Sequence, residues 1–192
     1  MAIRAASVLP YDAAKPLRIL GIDPGSRITG YGVIEVSGPR VAHVASGSIR
    51  CKPLTLAERL KYIHAVLADV VAEHHPDEVA VESVFVRRNV NSALVLGHAR
   101  GVALLALAQA GLDVREYAPA QIKSAIVGNG RAEKRQIQYL VRAMLGLHET
   151  LKPDAADALA IALCHARLRG CALAAKAPRR AVRGEGYRSY VA

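Results

Sequence analysis

The chain has 192 residues, 52% of them hydrophobic, with a formal net charge of +10 and a pI of about 9.9. The length predicts one domain with a sizeable core, and the hydrophobic content excludes a globally disordered chain. A balance this basic favours a polyanionic partner, although a solvated basic surface that serves only solubility gives the same charge. The three cysteines, an odd number without a CxxC pair, argue against a disulfide framework and a thiolate zinc site and favour a reducing cytoplasm.

The order of strand and helix patterns along the chain predicts a mixed α/β layer fold. Strand patterns cover residues 18–23, 29–36, 41–50, 78–85 and 113–119. Helical patterns cover residues 55–74, 89–111, 120–127, 132–145 and 154–168. Gaps of hairpin length separate the first three strands, so we expect these strands to be antiparallel neighbours.

The two ends of the chain differ in pattern from its middle. Residues 1–16 lack the sustained apolar run of a signal peptide and are predicted to be a loose extension before a domain at residues 17–170. Residues 171–192 lack apolar periodicity and carry five basic residues against one acid, which predicts a disordered basic tail. The most apolar segment, residues 101–110, is too short to span a bilayer, so we expect a cytoplasmic protein without a membrane partner.

Acidic residues stand at three places where a fold does not ordinarily put them. Asp23 ends the first strand, and Glu82 lies inside the apolar fourth strand. Asp154 and Asp157 are three residues apart and therefore share one face of the last helix. Turn formation would account for Asp23, and helix capping for the pair. A carboxylate within a buried strand is harder to explain, because its burial costs several kcal/mol unless it is paired or bound to a cation.

Taken together, the four acids predict a metal site. Carboxylates brought close together repel one another unless a cation neutralises them. The seven histidines show no HExxH spacing, and a set of hard oxygen ligands favours Mg²⁺ or Mn²⁺. Two such ions ~3.5–4 Å apart activate a water and stabilise the leaving oxygen of a phosphodiester. A basic protein with an acidic metal cluster therefore has the charge pattern of a nuclease.

Two segments near these acids carry candidate nucleic-acid ligands. Phe85 is the only phenylalanine and stands beside Arg87 and Arg88. A core anchor is the ordinary role of a phenylalanine, but this placement favours exposure and base stacking. The glycine-rich segment 121–142 offers close backbone approach to a phosphate. Its basic residues are Lys123, Arg131, Lys134, Arg135 and Arg142, and for Arg135 and Arg142 a solvated helix face is a credible alternative.

Four motifs resemble, in order and spacing, the RuvC family of Holliday junction resolvases. They are GIDPGSRITGYGVIE, VAVESVFVRRNVNSALVLGHARG, APAQIKSAIVGNGRAEKRQIQ and KPDAADALAIALCHA, and the likeness runs from Leu17 to about Arg167. The resemblance implies a ribonuclease-H-like fold, with a mixed sheet flanked by helices, and a homodimer. It also implies two-metal cleavage of four-way DNA junctions during homologous recombination and DNA repair.

The same resemblance assigns roles to individual positions. It implies that Asp23, Glu82, Asp154 and Asp157 are the catalytic, metal-binding carboxylates, with Asp23 bridging both ions. It also places a base-contacting aromatic at Phe85 and basic DNA contacts at Lys123 and Lys134. A further implied partner is the branch-migration complex RuvA–RuvB.

Three alternative classes account for part of the pattern. The actin-like ATPases share a G-I-D-x-G-(S/T) loop, but 192 residues are too few for their two domains, and a second glycine-rich phosphate loop after a strand is missing from the sequence. An inactive junction- or RNA-binding module is disfavoured by the four intact acids. Another ribonuclease-H-like nuclease, which cuts RNA or a simpler substrate, would use the same acids, so only the likeness along the DNA-facing segments argues against it.

Overall fold

The computed structural model of the chain describes residues 15–51, 55–83, 90–128 and 133–174. Its strands are β1 Leu17–Asp23, β2 Ile28–Ser37, β3 Arg40–Arg50, β4 Glu78–Glu82 and β5 Val114–Tyr117. Its helices are α1 Leu56–His74, α2 Val90–Gln109, α3 Pro119–Val127, α4 Lys134–Met144 and α5 Pro153–Ala174. The element order is the one that the sequence patterns predict.

The five strands form one mixed sheet in the order β3-β2-β1-β4-β5. β2 is antiparallel to both β1 and β3, which confirms the predicted hairpins. β4 is parallel to both β1 and β5. The carboxyl ends of β1, β4 and β5 therefore lie at the same edge of the sheet, because parallel strands run in one direction.

Helices cover both faces of the sheet and create two core clusters. Ile19 of β1 packs into the cluster on the side of α3, α4 and α5. Leu20 and Ile22 of β1 pack into the opposite cluster, with α1 and α2. The central strand is thus buried on both faces, which explains why it reads as an almost continuous apolar run.

α5 lies close against the middle of the sheet because both surfaces are made of small residues. A methyl group on Gly21 would overlap the carbonyl oxygen of Ala158, and one on Gly32 would overlap the side chain of Leu159. Alanine positions of α5 face this contact and are buried. The close approach fixes the position of the helix relative to the end of β1.

Some element boundaries differ from the predicted ones. β4 ends at Glu82, where its partner β5 also ends, and the last pairing contact is from the Ser83 amide to the Tyr117 carbonyl at 2.9 Å. α1 begins one residue later than predicted, because Thr55 and Glu58 form a capping box in front of it. α5 continues to Ala174, four residues into the segment predicted as tail.

The prediction that the most apolar segment is too short to span a bilayer is wrong for α2. Within the part of the chain that the structure describes, residues 91–109 are long and apolar enough to cross a membrane by length and composition, although only 22% of this window is buried. A core helix passes the same test, and one face of α2 does pack in the core through Ala99, Ala103 and Leu107. The apolar side chains of α2 therefore lie on two faces of the helix. One face packs in the core, and the other is exposed and includes Leu94 and Leu105.

Candidate active site

The sheet topology brings the first two acids together. Asp23 ends β1 and Glu82 ends β4, and these strands are parallel neighbours with Ile22 opposite Val81. The two carboxyl groups lie close enough for the charge of Glu82 to raise the pKa of Asp23. Strand backbone thus fixes the direction of both side chains.

The helical acids come to the same place from the other side. Asp154 and Asp157 lie in the first turns of α5, whose amino end stands over the carboxyl ends of the strands. Asp23, Glu82 and Asp157 line one cavity of about 340 Å³, and Asp154 lies close enough to raise the pKa of Asp23. The cavity is also lined by Pro119, Ile122, Lys123, Lys134, Ile137, Ala160 and Ile161.

Burial and neighbouring charges shift the pKa values of two of these acids. Burial, followed by the charges of Glu82 and Asp157, raises the pKa of Asp23 to about 7. Burial and the Asp157 charge also raise the pKa of Glu82. The positive charge of Lys134 opposes both shifts. Carboxylates held at such a cost to ionisation are characteristic of a functional site rather than of a solvated surface.

Lys134 is the nearest cation to the acids among the described residues. It is the first residue of α4, and its Nζ lies 2.5 Å from Oδ2 of Asp157. The hydrogen bond to Asp157 raises the pKa of Lys134, and the charges of Asp23 and Asp154 act in the same direction. The Lys134 ammonium therefore neutralises part of the acid cluster.

The structure places some of the predicted nucleic-acid ligands and not others. Lys123, on α3, lines the same cavity as the acids, as does Lys134. The remaining candidates lie outside the described residues, so their predicted roles stay predictions. They are Phe85, Arg87, Arg88 and Arg131.

The turn that follows Asp23 is held by residues that the sequence analysis did not single out. Arg59 of α1 donates through Nη1 to the carbonyl oxygen of Ser26 at 3.0 Å. The buried Thr29 hydroxyl donates to the Gly25 carbonyl at 3.2 Å. The capping box at Thr55 was the available signal, because it starts α1 beside this turn and so brings Arg59 within reach.

A buried polar network, also missed, ties α5 to β4 and β5. The Tyr117 hydroxyl lies 2.7 Å from Nδ1 of His165, and Nε2 of His165 lies 2.7 Å from the Glu78 carboxylate. Arg169 donates two hydrogen bonds to the same carboxylate. The hydrogen bond from His165 and the Arg169 guanidinium lower the pKa of Glu78 to about 2, against the effect of burial. The network fixes the carboxyl half of α5.

Comparison with known proteins identifies the family. The family model described as crossover junction endodeoxyribonuclease RuvC matches residues 19–165. A protein of that name from Halorhodospira halophila is 57% identical over 159 residues, which are 82% of this chain and 95% of the relative. The chain belongs to the RuvC family. The resemblance seen in the four sequence motifs is thereby confirmed, together with the hydrolytic nuclease class.

Solved structures of RuvC proteins share the fold. The Thermus thermophilus RuvC structure is 37% identical, with a TM-score of 0.74, and the match covers 81% of this chain and 97% of that one. T. thermophilus RuvC in complex with Holliday junction substrate gives 36% identity and a TM-score of 0.76, over 81% of this chain and 96% of that one. The predicted ribonuclease-H-like mixed sheet with flanking helices is confirmed.

RuvC proteins are metal-dependent nucleases, and the donor set of this chain fits a hard divalent cation. In the described parts of the chain, no three His, Cys, Asp or Glu side chains form a ready-made metal cage. Three carboxylates, those of Asp23, Glu82 and Asp157, line one cavity. The ammonium group of Lys134 binds Asp157 there, which shows that a positive charge fits at this position. Oxygen donors with raised pKa values gain most from a hard cation, because the cation favours their ionised form.

Proposed function

We propose that this RuvC-family protein resolves four-way DNA junctions during homologous recombination and DNA repair by hydrolysing phosphodiesters at symmetric positions in opposing strands. The observation that carries the proposal is the convergence of Asp23, Glu82 and Asp157 on one cavity beside two lysines. A relative of known structure, T. thermophilus RuvC, has been captured with a Holliday junction substrate, and the present chain is 36% identical to it.

The proposed metal ligands are Asp23, Glu82, Asp154 and Asp157, which would hold two Mg²⁺ or Mn²⁺ ions. When bound, the ions supply Lewis-acid activation of water and stabilisation of the leaving oxygen. Asp23 would be the central ligand, because it ends β1 and the charges of the other three acids all act on it. β1, β4 and α5 hold these side chains in place before substrate arrives, which reduces the reorganisation needed for catalysis.

The proposed DNA contacts surround this cavity. Lys123 and Lys134 stand at its wall and would bind the phosphate backbone near the scissile bond. Phe85, Arg87, Arg88 and Arg131 are proposed to extend the contact along the junction arms, with Phe85 stacking on a base. These contacts rest on the sequence motifs alone.

A homodimer is part of the proposal because a four-way junction offers two equivalent strands. A twofold dimer presents two equivalent sites to a twofold substrate. Leu94 and Leu105 of α2 are 58% and 51% exposed, which leaves an apolar face available for a second copy. The proposal further includes action in the cytoplasm, without a membrane partner, alongside the branch-migration complex RuvA–RuvB.

The proposed domain organisation places the nuclease within residues 17–170. Residues 1–16 are proposed to be an extension, and residues 171–192 to act as a basic tail that adds DNA affinity. Removing residues 176–192 should then weaken the dependence of junction binding on salt, because fewer counterions are released, and leave the nicking rate at saturation unchanged.

Nick mapping tests the proposed function directly. The protein is incubated with Mg²⁺ or Mn²⁺ and with a labelled four-way junction, linear duplex or single strand. We expect paired nicks at symmetric positions of the junction and little cutting of the other two substrates. Asp23→Asn, Glu82→Gln and Asp157→Asn should each abolish cleavage and retain junction binding. Equal cutting of duplex, or nicks at unrelated positions, would leave a metal-dependent nuclease without resolvase specificity.

A further inference from the structure

Lys134 contacts the same carboxylate that the proposed function gives to a metal ion. Its Nζ lies 2.5 Å from Oδ2 of Asp157, and the charges of Asp23 and Asp154 also act on it. The lysine side chain is 61% exposed, whereas that of Asp157 is only 26% exposed. The partner that can move is therefore the lysine, since its flexible stem starts at the rim of the cavity.

An ammonium group and a metal ion cannot occupy the same carboxylate oxygen. Both are cations, so their mutual repulsion adds to the steric conflict. A metal ion that takes Oδ2 of Asp157 must displace Lys134, and one that takes the other oxygen must tolerate the ammonium charge nearby. The ion pair thus opposes metal binding by an amount equal to its own stability.

On the basis of the proposed function, we propose that Lys134 is an exchangeable internal cation. It pairs with Asp157 and opposes metal binding at the acid cluster until a metal ion and a DNA phosphate bind together. In the free protein, Lys134 occupies Asp157. A phosphate placed beside the cavity offers the ammonium group an alternative anion, and its departure frees the carboxylate for the metal. Lys134 therefore couples metal binding to substrate binding at a single site.

This coupling makes the free enzyme a weak metal binder. Linkage requires that any ligand that draws Lys134 away from Asp157 raises metal affinity, and that metal raises affinity for that ligand by the same factor. The arrangement suits a nuclease that must stay inactive away from its substrate, because loaded metal without bound phosphate is disfavoured.

Calorimetric titration of Mn²⁺ into the full-length protein without DNA tests the inference. Lys134→Gln removes the competing cation and should tighten Mn²⁺ binding by about threefold to fivefold, the upper part of the range expected for loss of a close ion pair with an exposed lysine. Lys134→Arg keeps the charge and should leave the affinity within about twofold of wild type. Arg135→Gln removes the neighbouring, exposed positive charge and serves as the matched control for net charge.

The possible outcomes separate the inference from the proposed function. Tighter Mn²⁺ binding by Lys134→Gln alone supports the exchange. Unchanged or weaker binding overturns it, as does equal tightening by Arg135→Gln, which would show a general charge effect. Asp157→Asn is titrated in parallel and should lose most Mn²⁺ affinity. Wild-type affinity in Asp157→Asn would overturn both the metal assignment and the exchange, whereas loss of affinity there with an unchanged Lys134→Gln overturns the exchange alone.

Discussion

Gly30 of β2 lies directly beneath Asp154 of α5, so closely that a methyl group at Gly30 would overlap the carbonyl oxygen of Asp154. The sheet thus touches the backbone of the helix at the residue that carries one of the four acids. The position of Asp154 in the candidate site therefore depends on the absence of a side chain at Gly30.

Gly30→Ala should damage both stability and cleavage. Relief of the overlap requires the first turn of α5 to move, which costs about 1–3 kcal/mol of unfolding free energy by overpacking. A shift of this kind at the acid cluster should lower junction cleavage by about 100-fold. Urea unfolding and single-turnover nicking measure the two effects.

Gly146→Ala is the control, because its left-handed backbone (φ +62) has open space around it. It should cost about 1–2 kcal/mol and leave cleavage intact. Wild-type cleavage by Gly30→Ala would contradict the prediction.

Asp23 predicts an unusual pH dependence of stability in the metal-free protein. Its folded-state pKa is about 7, above the ordinary value of 3.8, so the folded state holds the proton more tightly than the unfolded state does. This group therefore removes stability as pH rises from about 4 to about 7. Asp23→Asn abolishes the effect. The melting temperature of the variant minus that of wild type should be small near pH 4, grow through this window and level off above it.

Two additions make the Asp23 measurement specific. Asp69→Asn, an exposed acid on α1, changes net charge equally and should show no comparable trend. Added Mg²⁺ should reduce the difference at the upper end of the pH range, since a bound cation stabilises the ionised carboxylate. A difference that stays flat with pH in the metal-free protein would mean that Asp23 ionises normally.

Tyr117→Phe tests the buried network that fixes the carboxyl half of α5. The Glu78 carboxylate only accepts, so His165 donates to it through Nε2, and Nδ1 of His165 pairs with the Tyr117 hydroxyl at 2.7 Å. Loss of that hydroxyl leaves a buried ring nitrogen without its partner and should cost about 1–3 kcal/mol in urea unfolding. Tyr139→Phe, at a ring that is 69% exposed, should change stability by less than about 0.5 kcal/mol. Equal stabilities of the two variants would show that the network contributes little.

Leu94→Lys and Leu105→Lys test the proposed dimer face. Both side chains are exposed on α2, so a lysine there should not disturb the fold of one subunit, whereas its burial between two copies is unfavourable. Light scattering should give a mass near twice 20.4 kDa for wild type and a lower mass for the variants at the same concentration. Tyr139→Lys on α4 is the control and should remain dimeric. A wild-type protein that scatters as a monomer would remove the dimer from the proposed function.

The order of strands and helices could be predicted from the sequence, because the spacing of apolar residues differs between strands and helices. The convergence of Asp23 and Glu82 was also predictable, since each ends a buried strand and parallel neighbours end at one edge. The contact between Lys134 and Asp157 was not, because it joins two helices through a side chain whose direction no periodicity encodes. Nor was the pairing of Glu78 with His165, which are 87 residues apart in the chain.

α5 serves as both the central rod of one core cluster and the carrier of two acids of the candidate site. Its buried alanines match glycines on the sheet, so neither surface accepts a larger residue alone. Natural variation and laboratory evolution of this protein should therefore leave the interface between α5 and the sheet nearly invariant. Changes in temperature tolerance should accumulate on the outward faces of α1 and α4, and changes in substrate preference in the segments between elements.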